Sequence, residues 1–411
     1  MTIEQFKSKR TLIFIAAFIA TLCAGFGYSW SVLQSAIMQE HAEWAASSIA
    51  ITYTLQVACS CLAPIPFGGI IRKLTTKQNI FVGAILYGAG MIICGFATQL
   101  WMLYVFYGIV AGVGVGFIYP QMMAYSVKVL PDKGSLASGL MAAAYGSGAV
   151  IWAPVANAII GATSLATNFI VLGAVFGIVI LFMSFFLAQV PDGYVETMKG
   201  APAPAAQDEA PKKVSKVEDK NRVQMVKTGT FWLMLIGFSF GLTSGMLVIS
   251  QAKGIITATG GDALAAKAAL CVSVIAACNT LGRIVWGAVA QKTGIYNTFA
   301  LICIVSAVAM ALLFVMTNGV LILVFMAVAA ACFGGLATLL TPMTADMFGM
   351  KHLTENFGTM YVAFAIAALI GPRVATAFPT YATGYLVGAV LSAIGVVVAL
   401  VLKGIYKKNL A

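Results

Sequence analysis

Long apolar runs separated by short polar stretches extend over nearly the whole 411-residue chain. Because a helix rises 1.5 Å per residue, about 20 apolar residues cross a bilayer core roughly 30 Å thick. Runs of this length occur in two groups of six, one on each side of a polar segment at residues 191–229. The pattern predicts membrane-spanning helices at Leu12–Met38, Ser47–Ile71, Ile80–Thr98, Met102–Val127, Leu136–Ile160, Asn168–Val190, Phe231–Gln251, Ala265–Ala290, Thr298–Met316, Val320–Ala345, Phe357–Thr376 and Ala382–Leu402.

The composition supports this prediction, with 61% hydrophobic and only 9% charged residues. Soluble domains are about a quarter charged, so the soluble globular class is excluded. The two groups also resemble each other, since "GGIIRK" ends the second span and "GAVAQK" ends the eighth. We therefore expect an all-α membrane protein, with twelve transmembrane helices in two pseudo-symmetric six-helix bundles at residues 1–190 and 230–411. Two such halves are the usual construction of carriers with alternating access.

The segment at residues 191–229 is rich in proline and alanine and highly charged. Such a composition cannot bury a core and predicts a flexible cytoplasmic linker between the two bundles. A short amphipathic stretch around Val223–Val226 has two interpretations: it lies on the membrane surface, or it belongs to a plain tether.

The distribution of the basic residues predicts how the chain is oriented in the membrane. The formal net charge is +11, and Lys and Arg concentrate at the N-terminus, after the even-numbered spans and in the linker. Only Lys253, Lys267, Arg283 and Arg373 fall outside these segments. The positive-inside rule therefore predicts a multi-pass protein of the inner (plasma) membrane with both termini in the cytoplasm. The basic excess indicates this orientation and does not predict a nucleic-acid partner.

Arg283 is the most informative residue, because it lies about nine residues from Lys292 at the predicted cytoplasmic edge of its span. A guanidinium at such depth costs about 2.5–3.5 kcal/mol on insertion scales. None of the 13 acidic residues falls inside a predicted span. One hypothesis is that Arg283 binds an anionic substrate with its planar fork, and the alternative is that it binds helix-end carbonyls.

Other polar groups in the spans are candidates for the same substrate site. Asn279 lies one turn before Arg283, so it either orients the guanidinium and donates to substrate or makes an interhelical hydrogen bond. Tyrosines within apolar spans can offer hydroxyl donors to a small carboxylate, although each could equally be a packing residue. The candidates of this kind are Tyr28, Tyr119, Tyr145, Tyr361 and, more weakly, Gln56.

Coupling and gating are less clear from the sequence. Arg373 lies near the outer end of span eleven and either takes part in a gate or snorkels outward. If protons accompany the substrate, edge carboxylates at Asp132, Asp346 or Glu355 are candidates. The sequence shows no nucleophile set, no metal cluster and no phosphate loop, so we expect no enzyme activity and no cofactor.

Several stretches together resemble the oxalate/formate antiporter family of major facilitator proteins, relatives of the monocarboxylate transporters. They are "GFGYSW", "GVGVGFIYP", "PDKGSLASGLMAAAYGSG", "TGTFW" and "NTLGRIVWG". The resemblance implies that Arg283 contacts a substrate carboxylate and that Tyr28, Tyr119 and Tyr145 match pocket tyrosines of the oxalate carrier.

The departures from that family narrow the expected substrate. Phe364 stands at the position of the family's second pocket cation, and Phe333 and Ala337 stand at two positions that are aromatic in the family. One cation cannot hold both ends of a dianion, so the resemblance implies a monocarboxylate such as lactate or pyruvate. Apart from the resemblance, we expect the carrier to function as a monomer in the lipid bilayer. An oxalate/formate-type exchanger and a carrier of an unrelated substrate stay open as alternatives, as do symport and antiport.

Overall fold

In a computed structural model, residues 1–200, 219–259, 261–376, 378 and 380–410 are described, and their regular elements are all helical. The α-helices are, in chain order, α1 (Ile3–Ala24), α2 (Trp30–Glu40), α3 (Ala46–Leu62), α4 (Pro64–Lys73), α5 (Thr76–Cys94), α6 (Leu100–Met102), α7 (Gly112–Val129), α8 (Gly134–Gly146), α9 (Gly148–Ala162), α10 (Leu165–Ser184), α11 (Tyr194–Gly200), α12 (Arg222–Val226), α13 (Gly229–Ser250), α14 (Ala252–Thr259), α15 (Gly261–Ala265), α16 (Ala268–Thr293), α17 (Ile295–Val315), α18 (Gly319–Phe348), α19 (Leu353–Met360), α20 (Val362–Thr376) and α21 (Tyr381–Leu410). A π-helical stretch, Leu103–Ala111, joins α6 to α7.

Within the described residues, eleven helices are long and apolar enough to cross a membrane. The number is up to twelve if the bent pair Ile51–Leu62 and Pro64–Lys73 counts as one span. These helices coincide with the predicted spans to within a few residues at most ends. The prediction of an all-α, multi-pass membrane protein is therefore confirmed.

Local sequence sets where several helices begin. Thr2 and Gln5 form a capping box at the start of α1, and Thr75 and Gln78 form another at the start of α5. Each box satisfies backbone donors that a helix start leaves without an intrahelical acceptor. Both boxes lie in polar sequence next to basic residues, where the chain is expected to leave the membrane.

The described chain divides into two compact units. Unit 1 contains Met1–Pro131 and Ala144–Met198, and unit 2 contains Asp132–Ala143 together with the described residues from Lys199 onward. The helix α8 thus begins in unit 2 and ends in unit 1. The boundaries proposed from the sequence, at residues 190 and 230, stay a prediction.

Two membrane spans are interrupted within unit 1, at points where their backbones touch. Between α1 and α2 the chain forms a 3₁₀ turn at Gly25–Ser29, and α8 and α9 are separated at Ser147. A Cβ atom on Gly25 would collide with the carbonyl of Tyr145, and one on Gly148 would collide with the carbonyl of Gly25. Only glycine permits this backbone contact. Unit 2 has a similar break at Tyr361, between α19 and α20.

The end of the predicted linker packs against unit 2, whereas residues 201–218 of that linker lie outside the described residues. Asp219 accepts a hydrogen bond from the backbone N–H of Lys351 at 3.0 Å, and the backbone N–H of Lys220 donates to Phe348 at 3.0 Å. Met225 of α12 is fully buried. The amphipathic stretch predicted around Val223–Val226 therefore packs on protein through this methionine.

Candidate functional site

Arg283 lies on α16 and is almost completely buried, with 1% of its surface exposed. Its Nη1 donates a hydrogen bond of 2.6 Å to the backbone carbonyl of Ala142, near the C-terminal end of α8. A helix presents partial negative charge at that end, so the guanidinium is stabilised there. Of the two roles left open by the sequence, the bond to a helix carbonyl is present in the structure. A carboxylate ligand would have to share or replace that acceptor.

Asn279 lies one turn before Arg283 and is 8% exposed. Its Oδ1 is buried and makes no hydrogen bond within the part of the chain that the structure describes. The neighbouring Gly334 of α18 leaves room for both side chains, since an added Cβ would lie 2.9 Å from Asn279 Oδ1 and 3.0 Å from Arg283 Cγ. The buried Asn279 Oδ1 is therefore a hydrogen-bond acceptor one turn from Arg283 on α16.

Three aromatic residues predicted to line the pocket form a row in unit 2. The ring of Phe364 lies 4.9 Å from Tyr361 and 5.8 Å from Phe333, measured between centroids. All three side chains are less than one-tenth exposed. Phe333 directly precedes Gly334, so this row starts beside the turn of α18 that packs on Asn279 and Arg283. The row provides an apolar surface with one hydroxyl group.

The three tyrosines predicted in the first half come together in unit 1. Tyr145 lies 4.2 Å from Tyr119 and 5.3 Å from Tyr28, ring to ring. Tyr28 belongs to the 3₁₀ turn and Tyr145 is the next-to-last residue of α8, so both occupy the helix breaks. Irregular backbone at membrane depth is tolerated where it is buried in protein or lines a cavity.

Sequence reasoning missed a second group of aromatic residues in unit 1. The Trp30 ring is stacked on Tyr53 at 6.3 Å and lies 5.0 Å from Tyr107. Trp30 follows Tyr28 by two positions in "GFGYSW", and Tyr53 lies one turn before Gln56. Helical spacing from Gln56 would have found Tyr53, whereas Trp30, two positions after Tyr28, has no such signal.

Gln56 is 2% exposed and packs on Gly27, where an added Cβ would lie 3.1 Å from its Nε2. This Nε2 makes no hydrogen bond to the described residues. A buried amide donor therefore lies beside the 3₁₀ turn that carries Tyr28.

The candidates for gating or coupling are dispersed. The backbone carbonyl of Asp132 accepts a hydrogen bond of 3.1 Å from Gln291 Nε2. Glu355 forms an ion pair with Arg222 at 3.7 Å, so its carboxylate holds the end of the linker. Asp346 is half-buried near the end of α18, and Arg373 is exposed in the last turn of α20.

The connection between α2 and α3 carries a local polar cluster outside the spans. His41 Nδ1 lies 3.1 Å from Glu43 Oε1, and the His41 ring stacks on Trp44 at 3.9 Å. A hydrogen bond from the backbone of Glu43 itself, assisted by His41, holds the pKa of this exposed carboxyl below its usual range. These contacts order the loop and involve none of the predicted site residues.

Residues 13–319 match the family model described as Major Facilitator Superfamily. The chain belongs to the major facilitator superfamily. It is therefore a multi-pass membrane transporter with a small-molecule substrate, and it is not an enzyme.

Curated relatives of this facilitator chain include two bacterial proteins. The oxalate:formate antiporter of Oxalobacter formigenes is 24% identical over 94% of this chain and 89% of its own length. The uncharacterized MFS-type transporter YhjX of Escherichia coli is 25% identical over 90% of this chain and 88% of its own length. Monocarboxylate transporter 12 of Rattus norvegicus is 23% identical over 78% of this chain and 69% of its own.

Solved structures show the same fold at low sequence identity. The proton:xylose symporter XylE matches with a TM-score of 0.72 at 14% identity, over 97% of this chain and 96% of XylE. FucP, solved in an outward conformation, matches with a TM-score of 0.70 at 14% identity, over 95% of this chain and 99% of FucP. The predictions of the facilitator fold and of resemblance to carboxylate carriers are confirmed.

Proposed function

We propose that this facilitator carries a small monocarboxylate, such as lactate or pyruvate, across the inner membrane by alternating access. The observation that carries the proposal is the burial of Arg283 within a membrane span, 1% exposed and bonded to a backbone carbonyl at 2.6 Å. A permanently charged guanidinium in such a place is costly, and in membrane proteins such residues generally serve a substrate or ion.

The polar and apolar groups of unit 2 suit a monocarboxylate. Arg283 and Asn279 share one face of α16, so together they offer a cation and an amide to a carboxylate. The aromatic row of Phe333, Tyr361 and Phe364 offers an apolar surface to a short tail. Phe364 is uncharged, so a second carboxylate would find no cation at this position. Tyr28, Tyr119, Tyr145 and Gln56 of unit 1 stay sequence-based candidates for further donors.

Two relatives support this substrate class. One is named for oxalate and formate, and the other is named for monocarboxylates. Both names describe small carboxylates. We extend that shared chemistry, rather than either particular substrate, to the present chain.

Alternating access follows from the cost of the buried charge. A bound carboxylate neutralises Arg283, and this lowers the free energy of an occluded, water-excluding state. The loaded carrier then changes conformation more readily than the empty one. This argument favours exchange of anions or facilitated movement, and it needs no cofactor and no second subunit. Both termini lie in the cytoplasm in this proposal.

The test is counterflow of radiolabelled lactate into proteoliposomes, with pyruvate, formate and oxalate as competitors. We expect Arg283→Ala to lower lactate counterflow about 10- to 100-fold, since a hydrogen bond to a charged group is worth about 1.5–3 kcal/mol. Arg283→Lys keeps the charge but loses the planar fork, so it should recover only part of the activity.

Lys267→Ala is the matched control, because Lys267 is an exposed cation at the start of the same helix. It should retain full counterflow. Full activity of Arg283→Ala would overturn the proposal, and competition by oxalate alone would replace the monocarboxylate with a dianion.

A further inference from the structure

Arg283 and three neighbouring residues form a cycle of hydrogen bonds across three helices, which the backbone of α8 closes. Ser138 Oγ of α8 donates to the carbonyl of Thr338 on α18 at 2.7 Å. Thr338 Oγ1 donates to the carbonyl of Arg283 on α16 at 3.0 Å, and it also lies 3.2 Å from the carbonyl of Gly334. Arg283 Nη1 then donates to Ala142, one turn beyond Ser138 on α8. Each of the four residues is at most 1% exposed.

Glycines bring the three backbones close enough for this cycle. A Cβ added to Gly139 of α8 would lie 2.5 Å from the carbonyl oxygen of Arg283 and 3.2 Å from Thr338 Cγ2. A Cβ added to Gly287 of α16 would lie 2.9 Å from the carbonyl of Ser135. Small residues at helix contacts are the usual means of close approach in membranes. The cycle is thus built into the packing of the three helices.

The cycle has a direct consequence for binding at Arg283. Nη1 lies within hydrogen-bond distance of the carbonyl of Ala142, which competes with any carboxylate for that donor. Ser138 and Thr338 hold the carbonyl-bearing turn of α8 and the backbone of Arg283 in the positions that make this bond. Nη1 carries two N–H groups, and the one that bonds to Ala142 reaches a carboxylate only if that side of the cycle opens. The apparent affinity of a ligand that needs this N–H falls accordingly.

We propose that Ser138 and Thr338 are positioning residues that keep Arg283 on the Ala142 carbonyl, and that the substrate carboxylate displaces this carbonyl from its N–H on binding. The inference rests on the proposed function, since it takes Arg283 as the group that receives the carboxylate. It adds that the guanidinium has a defined partner within the protein, which the carboxylate replaces. Opening the cycle should accordingly favour the binding-competent state.

The first test is titration of sodium lactate into purified full-length protein. Ser138→Ala and Thr338→Val should each tighten the apparent lactate Kd about 2- to 10-fold, because one hydrogen bond no longer holds the resting arrangement. The double variant should bind no more tightly than the better single variant, since a single cut already opens the cycle. A purely structural role would weaken binding or leave it unchanged, and either result would overturn the proposal.

The second test begins with a comparison that needs no substrate. Hydrogen–deuterium exchange of peptides covering α8 should be about 2- to 10-fold faster in Ser138→Ala without ligand, and lactate should speed it in the unmodified protein. The matched controls are Ser126→Ala and Thr344→Val. These side chains are equally buried but bond only to Met123 and Leu340 of their own helices.

Exchange in Ser138→Ala no faster than in the Ser126→Ala control would disprove the cycle and leave the proposed substrate class standing. The opposite outcome is faster exchange of α8 in Ser138→Ala, with no change in exchange when lactate is added to any of the proteins. That result would support the cycle and contradict the monocarboxylate proposal.

Discussion

Phe364 bears on how much negative charge the proposed substrate can carry. Its ring is 8% exposed and packs between Tyr361 and Phe333, and it stands where the oxalate/formate family is expected to carry a second cation. A phenyl ring offers a carboxylate neither charge nor a hydrogen-bond donor. A dianion at this site would therefore bury one carboxylate without a cation, which is strongly unfavourable.

We predict that Phe364→Lys shifts selectivity towards oxalate. Oxalate should compete with labelled lactate at least about 10-fold better than in the unmodified protein, because one added charge-assisted hydrogen bond is worth about 1.5–3 kcal/mol. The measurement is the half-inhibitory oxalate concentration in counterflow. Phe364→Leu removes the ring without adding charge and should not improve competition by oxalate. Equal competition by oxalate in the unmodified protein and both variants would show that the second carboxylate of oxalate does not lie beside residue 364.

At the residue scale, the sequence identified Arg283 but not the group to which it bonds. The residue could be found because a cation in an apolar run conflicts with the energetics of the membrane. Its acceptor is a backbone carbonyl 141 residues away, and a backbone carbonyl has no sequence signature. The same limit applies to Ser138 and Thr338, which look like ordinary small polar residues in the apolar runs of their helices.

At the scale of helices, the contact between α16 and α18 depends on Gly334. A Cβ added there would collide with the carbonyl of Asn279 and would approach the Arg283 side chain to 3.0 Å. Backbone atoms cannot move aside as a flexible side chain can, so the two helices would have to separate. A larger residue at this position would therefore strain the arrangement that holds Asn279 and Arg283.

We predict that Gly334→Ala destabilises the protein by about 1–3 kcal/mol through overpacking and lowers lactate binding. Thermal unfolding in detergent, followed with a dye that reacts with newly exposed thiols, would measure the effect, since most of the eight free cysteines are buried. Gly69→Ala in α4 is the control because nothing lies within 4 Å of an added Cβ there. It should be neutral or slightly stabilising. An unchanged melting temperature in Gly334→Ala would contradict the prediction and show that α16 and α18 accommodate the added methyl group.

The helix breaks show where prediction from the sequence ends at this scale. Apolar run length located the spans well because the bilayer fixes that length. It could not locate the interruptions at Gly25–Ser29, Ser147 and Tyr361, since they arise from contacts between helices. The tyrosines at 28, 145 and 361 were selected as donors, and their placement at the breaks became visible only in the structure.

At the scale of the whole molecule, the bent pair Ile51–Leu62 and Pro64–Lys73 decides the topology. Among the described helices, this pair as one span gives twelve spans and puts both termini on one side, whereas eleven spans put them on opposite sides. The 47° bend occurs at Ala63–Pro64, where proline removes a backbone donor. The pair ends at Arg72 and Lys73, which the positive-inside rule assigns to the cytoplasm.

We predict that Ala42 and Lys77 lie on opposite sides of the membrane, because the bent pair between them crosses it once. In cells, a membrane-impermeant maleimide should label Ala42→Cys directly and Lys77→Cys only after permeabilisation, with peptide mass spectrometry separating these sites from the native cysteines. Both positions are exposed, and Arg72 and Lys73 keep their orienting charge in the second variant. Labelling of both cysteines in intact cells would make the pair a re-entrant hairpin. An odd number of spans would follow, and one of the two termini would then lie outside the cytoplasm.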